Sequence, residues 1–410
     1  MTPVSGPDGM MWSGGGPAAA VPNAPPAPFD SPLHPRDTAD VAAAVRDAAA
    51  LGIPLRIRGA GHWLDAGRPV TSAACILDVS ALRGIVEYHP GDLTLTARAG
   101  TSLAEIDAAA RANGQWLPLD PVGAAAGSLG AALATASCGP LAAALGHPRD
   151  LSLGLEFVDG RGIVVRGGGR VVKNVAGFDL VRLTVGAWGT LGVITEATVR
   201  LRARPEAECT LALDAPRDAE ALATLLRSLR AAPLAPLAME LVGGGRMAAL
   251  EAGEGDAVLL RLAGNPVGVD AQRRHLASIG TARELPATAW DHLAAADPAG
   301  AFTLRVSGRP SRLAPLWLGV TAALAHTPGA HCQASVERGV ARVVVPAGDA
   351  ATVAPLVRSL AREWHVIGER LPAEAWDVLP PAASDRLSRR VRAAFDPYHI
   401  LNPGLLAPTA

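Results

Sequence analysis

The hydrophobic pattern of residues 31–204 changes its period several times along the chain. Val41 and Val45 lie four residues apart in an amphipathic run that Gly52 ends, so this run predicts a helix. Strict alternation of apolar and polar residues over 193–201 predicts a half-buried strand. Similar patterns predict strands at 53–57, 74–79, 93–98, 151–157 and 162–166, a helix from 101, and a small-residue helix at 131–136.

Strand-like and helix-like runs also alternate in the second half of the chain, which predicts an α+β domain there. The segment 202–206, rich in arginine and containing a proline, is interpreted as the exit from the first domain. Residues 1–30 are mostly Gly, Pro and Ala and are expected to be disordered. The predicted strands are 210–213, 257–262, 302–306 and 341–345, and the predicted helices are 218–229, 269–278, 313–325, 353–363 and 384–394.

Composition narrows the class of protein. Apolar residues make up 49% of the 410 residues, charged residues 18% and aromatic residues 4%, and the formal net charge is −1. A nucleic-acid-binding protein needs a basic footprint and usually stacking rings, so that class is excluded. The chain has no apolar run long enough for a transmembrane span and no signal-peptide pattern, and its four cysteines are far apart. A cytoplasmic protein is therefore expected.

The first candidate site is the glycine loop 58–62, with the sequence Arg-Gly-Ala-Gly-His. Closely spaced glycines let successive backbone N–H groups point into one concavity that binds phosphate oxygens. The loop leads into a strand and not a helix, so it is not a Rossmann dinucleotide loop. For this loop alone, an ordinary hairpin turn is the more common explanation.

Two further glycine segments have two interpretations each. Gly127-Ser128-Leu129-Gly130 opens a helix, where free N–H groups favour an anion, but close packing through small residues explains it equally well. The segment 186–192 contains three glycines at every third position, which lets backbone approach a flat or anionic ligand, or simply provides positive φ in a loop.

Together these loops resemble a known family. The stretches RGAGHWLDAGRPV (58–70), LTARAGTSLAEI (95–106), GGRVVKNVAGFDLVRLTVGAWGTLGVITE (168–196) and DPYHILNPG (396–404) carry the resemblance. They are similar to the FAD-binding domains of the vanillyl-alcohol oxidase and p-cresol methylhydroxylase (PCMH) type. Within that group they resemble the FAD-binding E subunits of bacterial glycolate oxidases, strongly over about 170 residues, weakly across 205–390, and again at the C-terminus.

The resemblance implies an α+β fold with a two-subdomain PCMH-type FAD-binding domain, followed by an α+β cap domain. The expected boundaries are 31–204 for the FAD-binding domain, 205–383 for the cap, and 384–410 for a C-terminal helix and a segment that returns to the flavin. The resemblance also implies which residues bind the cofactor. Those at the pyrophosphate are Arg58, Gly59, Ala60, Gly61 and His62, and those at the middle of the cofactor are Pro121, Gly127, Ser128 and Gly130. Val193 and Ile194 are implied at the adenine end, and Asn402 near the flavin ring.

The resemblance does not decide whether His62 is bonded covalently to the flavin. In some members of the wider superfamily, a histidine at this place in the loop is bonded covalently to the flavin. The E subunits usually have Ser, Thr or Asn there. Non-covalent FAD is the favoured alternative, with a covalent link through His62 as the other.

The chain departs from the related catalytic D-type subunits in its cap. Those subunits hold a metal with an H-x-G-D-G-N-x-H pattern, whereas the nearest stretch here, 329–335, has the single histidine His331, so no metal site is expected. Arg305 is a candidate clamp for a substrate carboxylate, with an edge-strand charge facing water as the alternative. Lys173 is the only lysine in the chain and is the second catalytic candidate.

Three functions remain open from the sequence. The first is an FAD-binding subunit of a glycolate (2-hydroxy acid) oxidase or dehydrogenase complex, whose partners are a sister FAD-binding catalytic subunit and an iron–sulfur subunit. The second is a self-sufficient FAD-dependent D-2-hydroxy-acid dehydrogenase. The third is a structural paralogue without flavin. The intact glycine loops argue against the third function. The absence of the paired metal-binding histidines of the D-type subunits favours the first. Such a subunit is expected in the cytoplasm or peripheral to the inner membrane through its complex.

Overall fold

The computed structural model describes residues 32–70, 75–123, 126–169, 178–253 and 255–407. The expectation of disorder at 1–30 and the candidate Lys173 lie outside these residues. The helices of the described chain are α1 Thr38–Leu51, α2 Leu103–Arg111, α3 Leu129–Thr135, α4 Ala142–Leu145, α5 Pro148–Leu151, α6 Leu180–Thr184, α7 Ala219–Ala231, α8 Gly244–Ala249, α9 Pro266–Ala277, α10 Thr288–Ala294, α11 Leu313–Leu324, α12 Ala350–Leu360, α13 Ala373–Trp376 and α14 Arg386–Phe395.

The strands fall into two groups that meet near residue 205. The first group is β1 Leu55–Arg58, β2 Cys75–Asp78, β3 Ile85–His89, β4 Thr94–Arg98, β5 Gln115–Trp116, β6 Ser152–Val158, β7 Val164–Gly168, β8 Val193–Arg200 and β9 Arg202–Ala203. The second group is β10 Ala207–Asp214, β11 Ala238–Val242, β12 Ala257–Gly264, β13 Ala282–Leu285, β14 Phe302–Ser307, β15 His331–Ser335, β16 Val340–Val345 and β17 His365–Arg370.

The first group forms a five-stranded antiparallel sheet in the order β3-β4-β8-β6-β7 and a parallel pair, β1-β2. Helix α1 is capped by the Asp37 side chain, which accepts from the Asp40 amide, and it ends as predicted at Gly52, in the left-handed conformation. Helix α2 begins two residues later than expected, since Ser102 and Glu105 form a capping box.

The second group forms one eight-stranded antiparallel sheet in the order β13-β10-β12-β11-β15-β16-β14-β17. Helices α7, α9, α11 and α12 pack on one face of this sheet and form its apolar core. Strands β11, β15 and β17 escaped prediction because they carry polar residues, including Glu240, Gln333 and Glu369, where an apolar alternation was expected. The other face of the sheet carries these polar residues and also a smaller apolar cluster, formed with Met247 of α8 and with Trp290 and Leu293 of α10. Part of this face lies against the first group, where Arg370 of β17 donates to the His62 carbonyl.

The segment 202–206 is not a simple exit. Arg202 and Ala203 pair with Trp116 and Gln115, so this segment closes a second small sheet before the chain enters β10. The C-terminal segment also returns to the first group, since the Leu55 amide donates to the Ile400 carbonyl at 2.7 Å and the Asn402 amide donates to the Leu55 carbonyl at 2.9 Å.

Candidate functional site

A cleft of about 680 Å³ lies between the loop after β1, helix α3, the loop 186–192 and the C-terminal segment. Eight of the residues named from the sequence line it: Arg58, Gly59, Gly61, His62, Ser128, Gly130, Ile194 and Asn402. The structure therefore brings together residues that are up to 344 positions apart in the sequence.

The loop 58–62 presents unused backbone donors. Within the described chain, the amides of Gly59, Ala60, Gly61 and His62 donate to no protein acceptor. Gly61 has a φ of +91°, which turns the chain so that consecutive N–H groups can face one concavity. Gly59 is required by close approach, since a Cβ there would lie 2.8 Å from Ser128 Oγ. These four amides are free to bind an anion or, as in an ordinary exposed turn, water.

The Arg58 side chain is already engaged inside the protein. Its guanidinium donates through Nε to Asp78 Oδ2 at 3.1 Å and forms a second, shorter contact through Nη2. Burial alone would raise the pKa of Asp78, but hydrogen bonds from Ser80 and Arg58 hold it below its usual value. Arg58 therefore stabilises the end of β2, and the donors that this loop has to offer an anion are backbone amides.

The start of helix α3 is occupied by protein acceptors. The amides of Leu129 and Gly130 donate to the carbonyls of Thr101 and Ala99, and the Ala131 amide donates to Ser128 Oγ. A Cβ on Gly130 would lie 2.7 Å from the Cβ of Ala99. The segment is therefore closely packed, and Ser128 and Gly130 also line the cleft.

Asn402 links two walls of the cleft. Its Oδ1 accepts from the Ile57 amide at 2.9 Å, and its Nδ2 donates to the Trp188 carbonyl at 2.8 Å. Gly186, Trp188 and Gly189 all have positive φ, so the loop 186–192 needs this conformation and also lines the cleft. The positive-φ interpretation of its glycines is therefore confirmed, and the approach to a ligand stays a prediction.

Two indole rings shape one end of the cleft. Trp63 and Trp188 make an edge-to-face contact with ring centroids 5.6 Å apart. Arg370, on β17, stacks over Trp63 at 4.8 Å, donates to the His62 carbonyl and pairs through Nε with Asp65 at 2.9 Å. The eight-stranded sheet therefore contacts the glycine loop directly through Arg370.

A second cavity, of about 670 Å³, adjoins the cleft and shares residues 61–64 with it. Its other walls are formed by residues 122–123, the loop 296–300 and Arg370. Asp297 in this wall accepts both terminal nitrogens of Arg342, at 2.7 and 2.6 Å, and also pairs with Arg370 at 3.3 Å.

Arg305 belongs to the same ion network. Its Nε lies 3.0 Å from Glu369 Oε1, while Arg342 Nε lies 3.2 Å from Glu369 Oε2. Strand β14 lies between β16 and β17, so the edge-strand alternative for Arg305 is wrong. The three arginines of this network, Arg305, Arg342 and Arg370, each contact at least one carboxylate.

Two buried carboxyl groups lie nearby. Both oxygens of Asp120 accept backbone amides, from Gly139 at 3.0 Å and Leu141 at 2.9 Å, and burial raises the pKa of Asp120 to about 6. Burial also raises the pKa of Glu240, on β11, to about 8, so it is mostly protonated at neutral pH. Arg338 lies close enough to favour the charged form of both groups, though burial outweighs it.

The remaining sequence-derived residues lie outside the cleft lining. Ala60 is exposed, Gly127 is half-buried, and Pro121 is buried. Val193 is buried in the core beneath β1 and β2, so only its backbone can contribute to a ligand. Trp63, Trp188 and Arg370 were missed, although the two tryptophans stand directly beside the glycine loops in the sequence and could have been noted there.

In the described chain, no three His, Cys, Asp or Glu side chains come together as a metal-binding group. His331 instead contacts Arg246, whose Nη1 lies 2.7 Å from the imidazole Nε2. Burial and this guanidinium lower the pKa of His331. No helix in the described ranges has the length and apolarity to cross a membrane.

The cleft with its unused amides can now be compared with known proteins. Residues 32–168 match the family model described as "FAD binding domain". They form an FAD-binding domain. The cofactor of this domain is FAD.

Curated relatives match part of the chain. Glycolate oxidase subunit GlcE of Escherichia coli is 44% identical over 160 residues, which is 38% of this chain and 45% of that protein. Glycolate oxidase subunit GlcD of Bacillus subtilis is 32% identical over 211 residues, 52% of this chain and 45% of that protein. D-lactate dehydrogenase of Archaeoglobus fulgidus is 31% identical over 208 residues, which is 51% of this chain and 46% of that protein. The matches span less than half the length of these relatives.

Solved structures show that the fold extends over both groups of strands. The structure of p-cresol methylhydroxylase with substrate bound superposes with a TM-score of 0.72 and 16% identity, covering 92% of this chain and 88% of that one. The 4-ethylphenol oxidase of Gulosibacter chungangensis gives a TM-score of 0.70 at 18% identity, and the match covers 92% of this chain and 89% of that one. The chain has the PCMH-type fold expected from the sequence, with the α+β cap sheet after the FAD-binding domain.

The residues of the cleft fit FAD. The four unused amides of residues 59–62 suit a pyrophosphate, since backbone N–H groups in a turn attract anions. Ile57, Leu405 and the two indole rings supply apolar wall for a flat ring system. The fit therefore rests on the backbone amides of residues 59–62 and on the apolar walls of the cleft.

Proposed function

We propose that the chain is the FAD-binding subunit of a glycolate (2-hydroxy acid) oxidase or dehydrogenase complex. In that role it takes part in the oxidation of glycolate to glyoxylate, with electrons passing through flavin. The similarity to the E-type subunit supports this proposal, because it is the highest identity among the relatives described above. The partners would be a sister FAD-binding catalytic subunit and an iron–sulfur subunit, in the cytoplasm or peripheral to the inner membrane.

In this proposal, the amides of Gly59, Ala60, Gly61 and His62 hold the pyrophosphate, and Arg58 supports their loop through Asp78. Asn402 fixes the cleft wall near the ring. The remaining contacts would come from Pro121, Gly127, Ser128 and Gly130 at the middle of the cofactor and from Val193 and Ile194 at the adenine end. The bound FAD would supply a two-electron acceptor.

One observation carries the choice of a subunit over a self-sufficient enzyme. A 2-hydroxy acid needs a cation for its carboxylate, and the candidate Arg305 is already balanced by Glu369. Arg342 and Arg370 are balanced by Asp297 in the same way. Because these guanidinium groups have internal partners, the proposal places substrate binding in the sister subunit.

A self-sufficient D-2-hydroxy-acid dehydrogenase is the second candidate. Arg246 favours it, since this guanidinium is largely buried, forms no ion pair in the described chain, and has a buried Nε without a hydrogen-bond partner. His331, whose Nε2 lies 2.7 Å from Arg246 Nη1, would be the candidate base beside it. Lys173 remains a catalytic candidate from the sequence alone.

The test combines flavin content with activity. The purified chain should show a flavin absorption spectrum, and Gly61→Asp should abolish flavin retention because it adds a carboxylate beside the amides that hold the pyrophosphate. Gly61→Ala is the matched control, since it brings the same positive-φ strain without the charge. Glycolate oxidation should require the partner subunits. Activity of the chain alone would favour the second candidate, and a colourless chain would favour the flavin-free paralogue.

A further inference from the structure

Helix α14 carries an unusual concentration of positive charge. Its ten residues include four arginines, and three of them, Arg386, Arg389 and Arg390, are exposed. None of the three forms an ion pair in the described chain, although Arg389 Nη1 donates to the Ser384 carbonyl at 2.8 Å. We call these three residues the arginine face.

The arginine face works against the stability of its own helix. Arg386 is the first helical residue, where the helix dipole is positive and a cation is unfavourable. Arg389 and Arg390 follow at the i+3 and i+4 positions, where like charges repel. Asp385 offsets part of this charge, but its carboxylate is used to cap the amides of Leu387 and Ser388.

The helix presents this face rigidly. Its other side, which includes Ser388, Val391 and Phe395, is partly buried, and Phe395 packs near Phe157 with ring centroids 6.1 Å apart. The Gly160 amide donates to the Phe395 carbonyl at 2.8 Å. The orientation of the arginine face is therefore set by packing on the FAD-binding domain.

The same helix is joined to the flavin cleft through a short, ordered segment. Asp396, which is 1% exposed, accepts the amides of Ile400 and Leu401, and the next residue is Asn402 of the cleft wall. Leu387 lies within the arginine face with 68% of its surface exposed. A cationic surface with an apolar residue in it, held against the cofactor domain, has the features of a docking surface.

We propose that the arginine face of α14 docks on an acidic, partly apolar surface of a protein partner, which is the sister subunit of the complex. This inference rests on the proposed function for the identity of the partner. Charge complementarity argues for the chemistry of the occupant, since three unpaired guanidinium groups select carboxylates on the opposing surface.

The experiment measures complex formation with the co-expressed sister subunit for the full chain and two triple variants. Arg386→Glu/Arg389→Glu/Arg390→Glu reverses the arginine face. Arg217→Glu/Arg358→Glu/Arg362→Glu reverses three exposed arginines elsewhere and gives the same change in net charge. All three proteins should fold and retain FAD, because every substituted side chain is exposed.

The expected result is a loss of affinity of at least about tenfold for the α14 variant at low salt, with little change for the control. The affinity of the parent should fall as NaCl rises, and that of the α14 variant should fall less steeply. Equal losses in both variants, or none in the α14 variant, would overturn the docking surface while leaving the FAD-subunit function standing. A parent chain that holds FAD but forms no complex would contradict both proposals. Binding to phosphatidylglycerol vesicles, lost only in the α14 variant while complex affinity is kept, would make this face a membrane site and not a protein-docking surface.

Discussion

Asn402 and Trp188 are 214 positions apart, yet the side-chain amide of Asn402 donates to the Trp188 carbonyl at 2.8 Å. The same side chain accepts from the Ile57 amide, so one residue holds the glycine loop of β1 against the loop 186–192. Asn402 has a φ of +44°, which asparagine tolerates better than most residues.

Asn402→Ala should remove both hydrogen bonds and place alanine in the left-handed region. We expect a loss of about 2–3 kcal/mol in the free energy of unfolding, from about 1 kcal/mol for each bond and a similar backbone cost. Flavin content should fall with it. Urea unfolding and flavin absorbance measure the two effects. Asn402→Asp keeps the acceptor for Ile57 but places a buried carboxylate oxygen against the Trp188 carbonyl oxygen, so it should lose at least as much.

Arg370→Met should loosen the glycine loop and leave Asp297 with one partner fewer. Because Arg370 is 12% exposed and Asp297 8%, we expect a loss of about 3 kcal/mol in the free energy of unfolding and weaker FAD binding. Arg312→Met is the control, since Arg312 also stacks on a tryptophan and pairs with Glu363, but at an exposed site. That variant should lose less than about 1 kcal/mol. Equal losses in the two variants would contradict the role given to Arg370.

Gly130→Ala tests close packing at the start of α3. The added methyl group would lie 2.7 Å from the Cβ of Ala99, so we expect a loss of about 1–3 kcal/mol in stability. Combining it with Ala99→Gly should restore part of that loss. Chemical denaturation of the two single variants and the double variant measures the coupling. Strict additivity of the two changes would show that the contact is not the cause.

The stability of the protein should depend on pH through Glu240. Burial raises its pKa from 4.5 to about 8, so between these values the folded state keeps a proton that the unfolded state has released. The free energy of unfolding should therefore decrease as pH rises from about 4.5 to 8. Asp120, with a pKa raised to about 6, contributes in the same direction over the lower part of this range.

Glu240→Gln should flatten this decrease, because glutamine has no proton to lose. Thermal unfolding between pH 5 and about 9 is the measurement, and the variant should be the more stable protein at the alkaline end. Glu374→Gln, at an exposed position, should follow the parent. A parent whose stability rises over this range would contradict the assignment.

His62 lines both the cleft and the second cavity, so its side chain is placed to meet a cofactor bound there. We expect FAD to be held non-covalently, and acid precipitation of the protein should then release all the flavin into the supernatant. Flavin that stays with the precipitate of the parent, but not of His62→Asn, would establish the covalent link instead.

The sequence predicted those parts of the fold that local periodicity encodes. The alternation over 193–201 and the capped run of α1 appear as expected, since each buries one clear apolar face. Strands β11, β15 and β17 could not be predicted in this way, because one of their faces meets another part of the protein through polar side chains. Glu369 pairs with Arg305 and Arg342 on other strands of the same sheet, and Glu240 Oε1 is buried without a hydrogen-bond partner, so local spacing gives no sign of either arrangement.

The parts of the candidate site that depend on local backbone chemistry could also be predicted from the sequence. The glycine loops were identifiable because backbone chemistry restricts them to glycine, as the φ of Gly61 shows. The engagement of Arg58 by Asp78 and of Arg305 by Glu369 was not, since a pairing of distant residues leaves no trace in local spacing. A guanidinium proposed as a ligand from sequence alone needs its internal partners checked first.

The return of the C-terminal segment to β1 has a consequence for the order of events during biosynthesis. Ile57 and Asn402 are 345 positions apart, so the wall of the cleft is incomplete until the ribosome has released residues 400–402. We therefore expect a nascent chain to hold its cofactor weakly until these residues have emerged. A chain that ends after residue 395 should retain less flavin than the full chain while keeping every glycine loop.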